Sequence, residues 1–461
     1  MTSPRQGTKL VQGVCSGVER CSCQIRPQPD ESRMSKIVQH LGRISRIRRW
    51  VITTALLSAL MLVPVVVVAQ TPSTHFEVLH AFHGSDGNYT LGGVTLDAAG
   101  NLYGATYLGG DLNCSFNSKG CGVVFELNTA GKEKVLHKFT GTDGLGAMAG
   151  GNLIRDSQGT LYGETEWGGD FSCSSEGCGT VFKLDKAGKE TVLYAFTGSN
   201  GDGANPAGNL ILDESGNLYG TTLYNGAGYG TVFKIDKSGK ESVLYSFLGP
   251  GAGDGSLPIG LVEDAAGNLY GATNAGGITG GKCGKLAGCG IVYKLTKSGK
   301  ETVLYRFTGP DHGDGQNPTS PLVFDQKGNL YGTTTIGGKG VSGSGTVFKV
   351  TKTGKETILH AFNGNDGYSP IGPVVFDDAG NLYGTTLDGG SLGYGTVFKL
   401  TKGGKETVLH NFSGGKDGME PDWGVAIDGT GRLYGLTREG GDLKCAVGGG
   451  IGCGVVFRIT Q

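Results

Sequence analysis

The sequence predicts an all-β fold: a seven-bladed β-propeller of four-stranded antiparallel blades, closed by an N-terminal strand that completes the last blade. Three observations carry this reading. The phrase Asp-x-x-Gly-x-Leu-Tyr-Gly occurs seven times from Asp97 onward, each copy followed by a Gly-rich stretch and an apolar run such as Val-Phe-Lys-Leu. Its marker tyrosines are Tyr103, Tyr162, Tyr219, Tyr270, Tyr331, Tyr383 and Tyr434, and a period of about 55 residues built from strand-like runs is the signature of stacked sheets. The chain's ends are also complementary. Residues 76–82 read as a fourth strand with no partners before it, and the last repeat stops after its third strand, at Val455 to Thr460. Joining the two completes a seventh sheet and hides edges that would otherwise invite aggregation. A linear β-solenoid is the competing architecture, but it has no use for complementary half-repeats.

Within a repeat, four strands a to d follow in order. In the third they are Asn209–Asp213, Asn217–Thr222, Gly230–Ile235 and Glu241–Phe247. The a–b turn (Asp213 to Asn217) and the c–d turn (Lys237 to Lys240) carry Gly where a tight hairpin needs a left-handed residue. The interval from turn Asp to marker Tyr, as from Asp97 to Tyr103, is the same in all seven copies. The interval from the strand-c aromatic to the strand-d Phe, as from Phe125 to Phe139 or Tyr293 to Phe307, is the same in all six complete copies. Length varies mainly between b and c. Strands in a meander alternate direction, so the a–b and c–d turns form one uniform face, and the b–c and d–a loops form an elaborated one. Function tends to sit on variable loops above a rigid scaffold.

Composition agrees. The 88 glycines have no Gly-X-Y period, and each repeat supplies apolar residues at fixed offsets, which excludes collagen and disorder. The stretch 1–69 holds ten Lys/Arg against three Asp/Glu, and the remainder holds thirty against thirty-eight. Arg43, Arg46, Arg48 and Arg49 precede an apolar run from Trp50 to Val68 and a Val-Val-Ala end. That describes a signal peptide over residues 34–69, or an uncleaved membrane anchor of the same extent. Met34 would open a signal of ordinary length, leaving residues 1–33 over-called or disordered. Either way the propeller, residues 75–461, is expected outside the cytoplasm. No sorting segment follows the last strand, so release or retention through the N-terminus is expected. The acidic repeat region has no footprint for nucleic acid, and a monomer is expected.

The wording GNLYGTT, then GTVFKL, then GKETVLYSF resembles the GloVer tandem repeat of exported bacterial surface proteins, over residues 75–461. The resemblance implies a surface location and a propeller-like repeat. It implies no reaction and brings no functional residues.

Eight cysteines form four local pairs, Cys114/Cys121, Cys173/Cys178, Cys283/Cys289 and Cys445/Cys453, all in b–c loops. Those four loops are the longest of the seven, and the three without cysteine are shorter. Disulfides suit an exported chain. Zinc would need four converging ligands, and no histidine accompanies these pairs. No metal and no cofactor is expected. Cys15, Cys21 and Cys23 precede the signal.

In a closed ring, blades 7, 1 and 2 are neighbours, and only their b–c loops read Gly-Gly-Asp-x-x-Cys, with Asp442, Asp111 and Asp170. Tyr107, Trp167 and Trp423 fall on the same arc. Exposed aromatics beside acids suit a sugar ring, whose apolar face stacks while its hydroxyls find acceptors. The plainer reading makes each Asp a turn cap and packs the aromatics against the stapled loops. A second ring, Asp86, Asp143, Asp202, Asp254, Asp314, Asp366 and Asp417, has one acid per d–a loop. It could attract cations, but Asp-Gly is ordinary turn chemistry. His80, His137, His360 and His410 occupy one strand-d position, filled elsewhere by Tyr194, Tyr245 and Tyr305, too far apart to act together. No nucleophile elbow, P-loop, dinucleotide fingerprint or HExxH motif appears. The expected function is non-enzymatic binding of an extracellular glycan or protein. A purely structural surface module, and a lyase or lactone hydrolase argued from fold alone, are the alternatives.

Overall fold

The computed structural model describes residues 74–461 apart from 115–117, 148–150, 200, 226–227, 285–286, 339–342 and 446–450. The expectations for residues 1–33 and 34–69 lie outside the described residues. Seven antiparallel sheets form seven blades, each with strands in the order a-b-c-d. In blade 4 the strands are Gly255–Glu263, Leu269–Gly276, Ile291–Leu295 and Glu301–Arg306. In blade 7 they are Ala426–Ile427, Leu433–Leu436 and Val455–Thr460, and strand d is His75–Ala81 from the other end of the described chain. Phe76 pairs with Ile459, Val78 with Phe457 and Ala81 with Val455, while Arg458 forms an ion pair with Glu77. The ring is closed.

Each spacing in the sequence has a physical cause. The turn Asp accepts backbone hydrogen bonds within the a–b hairpin, as Asp97 Oδ1 does from Ala99 and Asn101, both at 2.9 Å. Its other oxygen accepts from the marker tyrosine on the returning strand, at 3.0–3.3 Å in all seven blades. The constant Asp-to-Tyr interval is the one this latch requires. The strand-c aromatic and the strand-d Phe face opposite seams. Each strand-d Phe meets the strand-c ring of the next blade edge to face, with centroids 5.0–5.4 Å apart at all seven seams. Phe82 with Phe125, at 5.2 Å, carries the circle across the joint between the chain's two ends.

Strand a departs from expectation. In blade 3 it is two short pieces, Gly203–Pro206 and Ile211–Leu212, both paired with a strand b that runs from Leu218 to Asn225. Blades 2 and 5 are split in the same way. The first piece holds a residue with a positive φ, which turns the chain out of regular pairing before it re-enters the sheet. That residue positions the site described next.

Candidate functional site

On the b–c face, one residue per blade takes a left-handed backbone conformation: Tyr89, Gly146, Asn205, Leu257, Asn317, Ser369 and Glu420, with φ between 55° and 67°. Six of the seven carry a side chain, and a non-glycine residue pays roughly 1–2 kcal/mol for this conformation. Its hydrogen bonds show what holds it there. The amide N–H donates to a b–c loop carbonyl of the preceding blade: Gly146 to Cys121, Asn205 to Cys178 and Asn317 to Cys289, at 2.8–3.3 Å. The carbonyl accepts from the residue that ends strand b, as Tyr89 does from Tyr107 at 2.9 Å. Three stapled loops therefore support this ring directly.

The side chains of Tyr89, Asn205 and Asn317 reach the strand-b ends of the preceding blades. Across the seven blades those ends are Tyr107, Glu166, Leu223, Asn274, Thr335, Leu387 and Arg438. Asn205 Nδ2 donates to the Glu166 carbonyl at 3.0 Å, and Asn317 Nδ2 to that of Asn274 at 2.9 Å. A methyl group at Gly146 would lie 2.5 Å from the Tyr107 ring, so only glycine leaves that ring its place. The mouth is thus a double circle of uniform backbone and variable side chains. Four of the seven blades end strand b in residues that are neither charged nor aromatic. Blades 7, 1 and 2 supply Arg438, Tyr107 and Glu166.

Two clusters form on that arc. In the first, the Tyr107 phenol and the Trp167 indole lie beside the Glu166 carboxylate, close enough to act on its ionisation. Burial raises the Glu166 pKa, against the lowering effect of those donors. Burial and the nearby Glu166 push the Tyr107 phenol up to about 12, so it stays a donor. In the second, Arg438 donates to Glu420 at 3.2 Å and to Asp422 at 3.0 Å, and lies 5.1 Å from the centre of the Tyr89 ring. Burial raises both carboxyl pKa values, offset in part by the guanidinium. Arg438 Nε is buried without an acceptor among the described residues.

The expected site residues fare differently. Tyr107 and Trp167 come together, half-buried, and Trp167 also packs on the cluster containing Cys114 and Cys121. Asp111, Asp170 and Asp442 are turn caps, accepting from the backbone of Asn113, Ser172 and Lys444 at 2.8–3.0 Å. The expectation that Trp423 is exposed fails, since it is 4 % exposed. A methyl group at Gly93 would lie 2.7 Å from its indole, so Trp423 fills the inner wall between blades 7 and 1.

The four cysteine pairs are disulfides: Cys114–Cys121, Cys173–Cys178, Cys283–Cys289 and Cys445–Cys453. They reach further inward than loop staples on an open rim would. Cys121, Cys289 and Cys453 are fully buried, and Cys453 belongs to the blade 7–1 core with Phe82, Leu436 and Val456. Cys453 is therefore a core residue as well as a staple, because only Gly454 separates it from the start of strand c at Val455. The d–a aspartates serve as loop anchors, each accepting from the strand-d His or Tyr of its blade at 2.8–3.2 Å. Tyr89, Glu166, Glu420, Asp422 and Arg438 escaped sequence reasoning. For Glu166 and Arg438 the available signal was a charge where other repeats place uncharged residues after the strand-b threonine. On the opposite face, a groove of about 820 Å³ lies between blades 5 and 6, lined by Asp325, Lys349, Asp377 and Lys402. Its walls are residues common to most repeats, so nothing singles it out.

A solved structure of the extracellular domain of a hybrid two-component system from B. thetaiotaomicron is similar, with a TM-score of 0.50 and 14% identity over 83% of this chain and 40% of that one. A gluconolactonase from Xanthomonas campestris aligns with a TM-score of 0.40 and 12% identity over 67% of this chain and 86% of its own. A luciferin-regenerating enzyme aligns with a TM-score of 0.42 and 14% identity, over 84% and 95%. The first likeness speaks to the fold alone, and the two enzymes carry no argument about activity. A comparison with curated proteins finds no match. A repeat model matches residues 65–283 and 251–448, nearly the whole propeller, and on that ground the chain belongs to the Gloeobacter/Verrucomicrobia repeat family.

Proposed function

We propose that this protein is an exported, non-enzymatic propeller that binds an extracellular ligand, a glycan foremost, where blades 7, 1 and 2 meet at the mouth. Four disulfides support export, because such bonds persist in oxidising compartments. The observation that carries the binding reading is the gathering of Tyr107 and Trp167 around Glu166, beside the Tyr89–Arg438 pair. A sugar's apolar face stacks on such rings, and its hydroxyls accept from and donate to the groups between them. The stapled loops hold the rim before the ligand arrives, which reduces the ordering cost of binding.

A glycan array and a pull-down with residues 70–461 test the reading. Trp167→Ala or Arg438→Ala should abolish a hit, whereas Thr335→Ala, in blade 5 on the far side of the mouth, should leave it intact. Binding that survives both arc substitutions overturns the site.

One observation favours a second reading. Arg438, Glu420 and Asp422 lie within hydrogen-bonding reach, with both carboxyl pKa values raised, and perturbed groups of this kind also serve acid–base chemistry. Turnover of a lactone panel that disappears in Asp422→Asn would establish an enzyme.

A further inference from the structure

The seven blades act as internal controls for one another, and one seam breaks the pattern. Every blade has a strand-d His or Tyr bonded to its d–a aspartate, so that pair alone is structural. Three positions further on, the other blades carry Thr140, Thr197, Leu248, Thr308, Asn363 and Ser413, and blade 7 carries His83. As a result two imidazoles converge on one carboxylate oxygen. His80 Nε2 lies 3.1 Å and His83 Nδ1 3.3 Å from Asp86 Oδ2, and the three donor atoms lie within 4.8 Å of one another.

We propose that His80, His83 and Asp86 bind a divalent transition-metal ion, zinc by preference. Two ligands about 2.0–2.1 Å from a tetrahedral zinc stand roughly 3.3 Å apart, close to the spacings found here, so a small inward adjustment seats the ion. The remaining parts of such a site are present as well. Asp86 Oδ1 accepts from the His83 backbone N–H at 2.7 Å, which fixes the carboxylate. The outer nitrogen of His83 faces Asp442 at 3.8 Å, across the joint from the blade's own b–c loop. A carboxylate behind a ligating imidazole is the usual support that sets its tautomer and orientation. The His83 side chain is 58% exposed, which leaves an entry path and a fourth position for water. Two imidazoles with one carboxylate suit zinc, nickel or cobalt, whereas calcium and magnesium demand more oxygen ligands. The ion would sit beside the joint between the chain's two ends, with Asp442 behind His83 as its link across that joint.

Tag-free protein titrated with zinc chloride, by calorimetry and by thermal melting, tests the site. One ion per chain and a Tm that rises with zinc and returns with EDTA are expected, with no response to magnesium. His83→Thr installs the residue of blades 1, 2 and 4. His80→Gln keeps a side-chain N–H donor for Asp86, which His80 Nε2 meets at 3.1 Å, and removes the ligating imidazole. Both variants should keep the metal-free Tm and lose zinc binding, and Asp442→Asn should weaken it about 10-fold. No heat and no Tm shift in the parent protein, or unchanged stoichiometry in both histidine variants, overturns the proposal.

Discussion

Phe82→Ala tests whether the joint in the ring is as strong as its other seams. Phe82 and its partner Phe125 are both fully buried, with ring centroids 5.2 Å apart in an edge-to-face arrangement. Truncating a buried Phe costs about 3–5 kcal/mol, of which the aromatic pair supplies about 0.5–1.5 kcal/mol. Phe139→Ala is the matched control, because Phe139 meets Phe182 at the same 5.2 Å across a seam inside the chain. Urea denaturation should therefore give the two variants the same loss within about 1 kcal/mol. A double-mutant cycle of Phe82 and Phe125 should return the pair energy as a coupling. A loss under about 1 kcal/mol for Phe82→Ala, beside several for Phe139→Ala, would mean that the first strand is not seated. The seven-fold circle, and the neighbourhood of blades 7, 1 and 2, would then fail together.

Three further outcomes follow from the same geometry. Tyr219→Phe removes the hydroxyl that bonds Asp213 at 3.1 Å and should cost about 1 kcal/mol by thermal denaturation. Replacing Cys283 and Cys289 together by Ser releases a short stapled loop and should cost about 2 kcal/mol, and a Tm indifferent to reductant would contradict the role given to the staples. Burial lifts the half-buried Glu190, Glu241, Glu301 and Glu356 to about 7, above the unfolded value of about 4.3. A raised acid contributes stability that is intact below the unfolded pKa and lost as pH climbs through the folded one. Stability should thus decline between about pH 4.5 and 7, and Glu241→Gln should raise the Tm at pH 8 while leaving it unchanged at pH 4.

The fold was legible because its contacts recur at fixed offsets. The Tyr–Asp latch imposes one constant spacing and the seam aromatics another, and a missing strand at each end could only be a shared blade. The site was legible in location more than in detail. Tyr107 and Trp167 stand out as aromatics beside long loops, but the sequence does not distinguish a rim aromatic from Trp423, whose strand faces the ring's inner wall. Asp111, Asp170 and Asp442 attract attention by repetition, yet repetition there reflects a turn that needs a cap. The pairing of Cys445 with Cys453 was readable from proximity alone, whereas the burial of Cys453 depends on which seam its strand enters. Glu166 and Arg438 are single departures just past the repeated phrase. Tyr89 and Glu420, which face Tyr107 and Arg438, lie well back along the chain in the d–a loops. Only the left-handed residue of strand a brings these positions face to face.

Tryptophan fluorescence gives the most direct view of the proposed contact. Within residues 70–461 the indoles are Trp167 at the mouth and Trp423 in the inner wall. Titration with a ligand already captured by pull-down should shift or quench the emission of the parent protein, and Trp167→Phe should abolish that change. A change that persists in Trp167→Phe, or none at all while the ligand is bound, would place the ligand away from the arc of blades 7, 1 and 2.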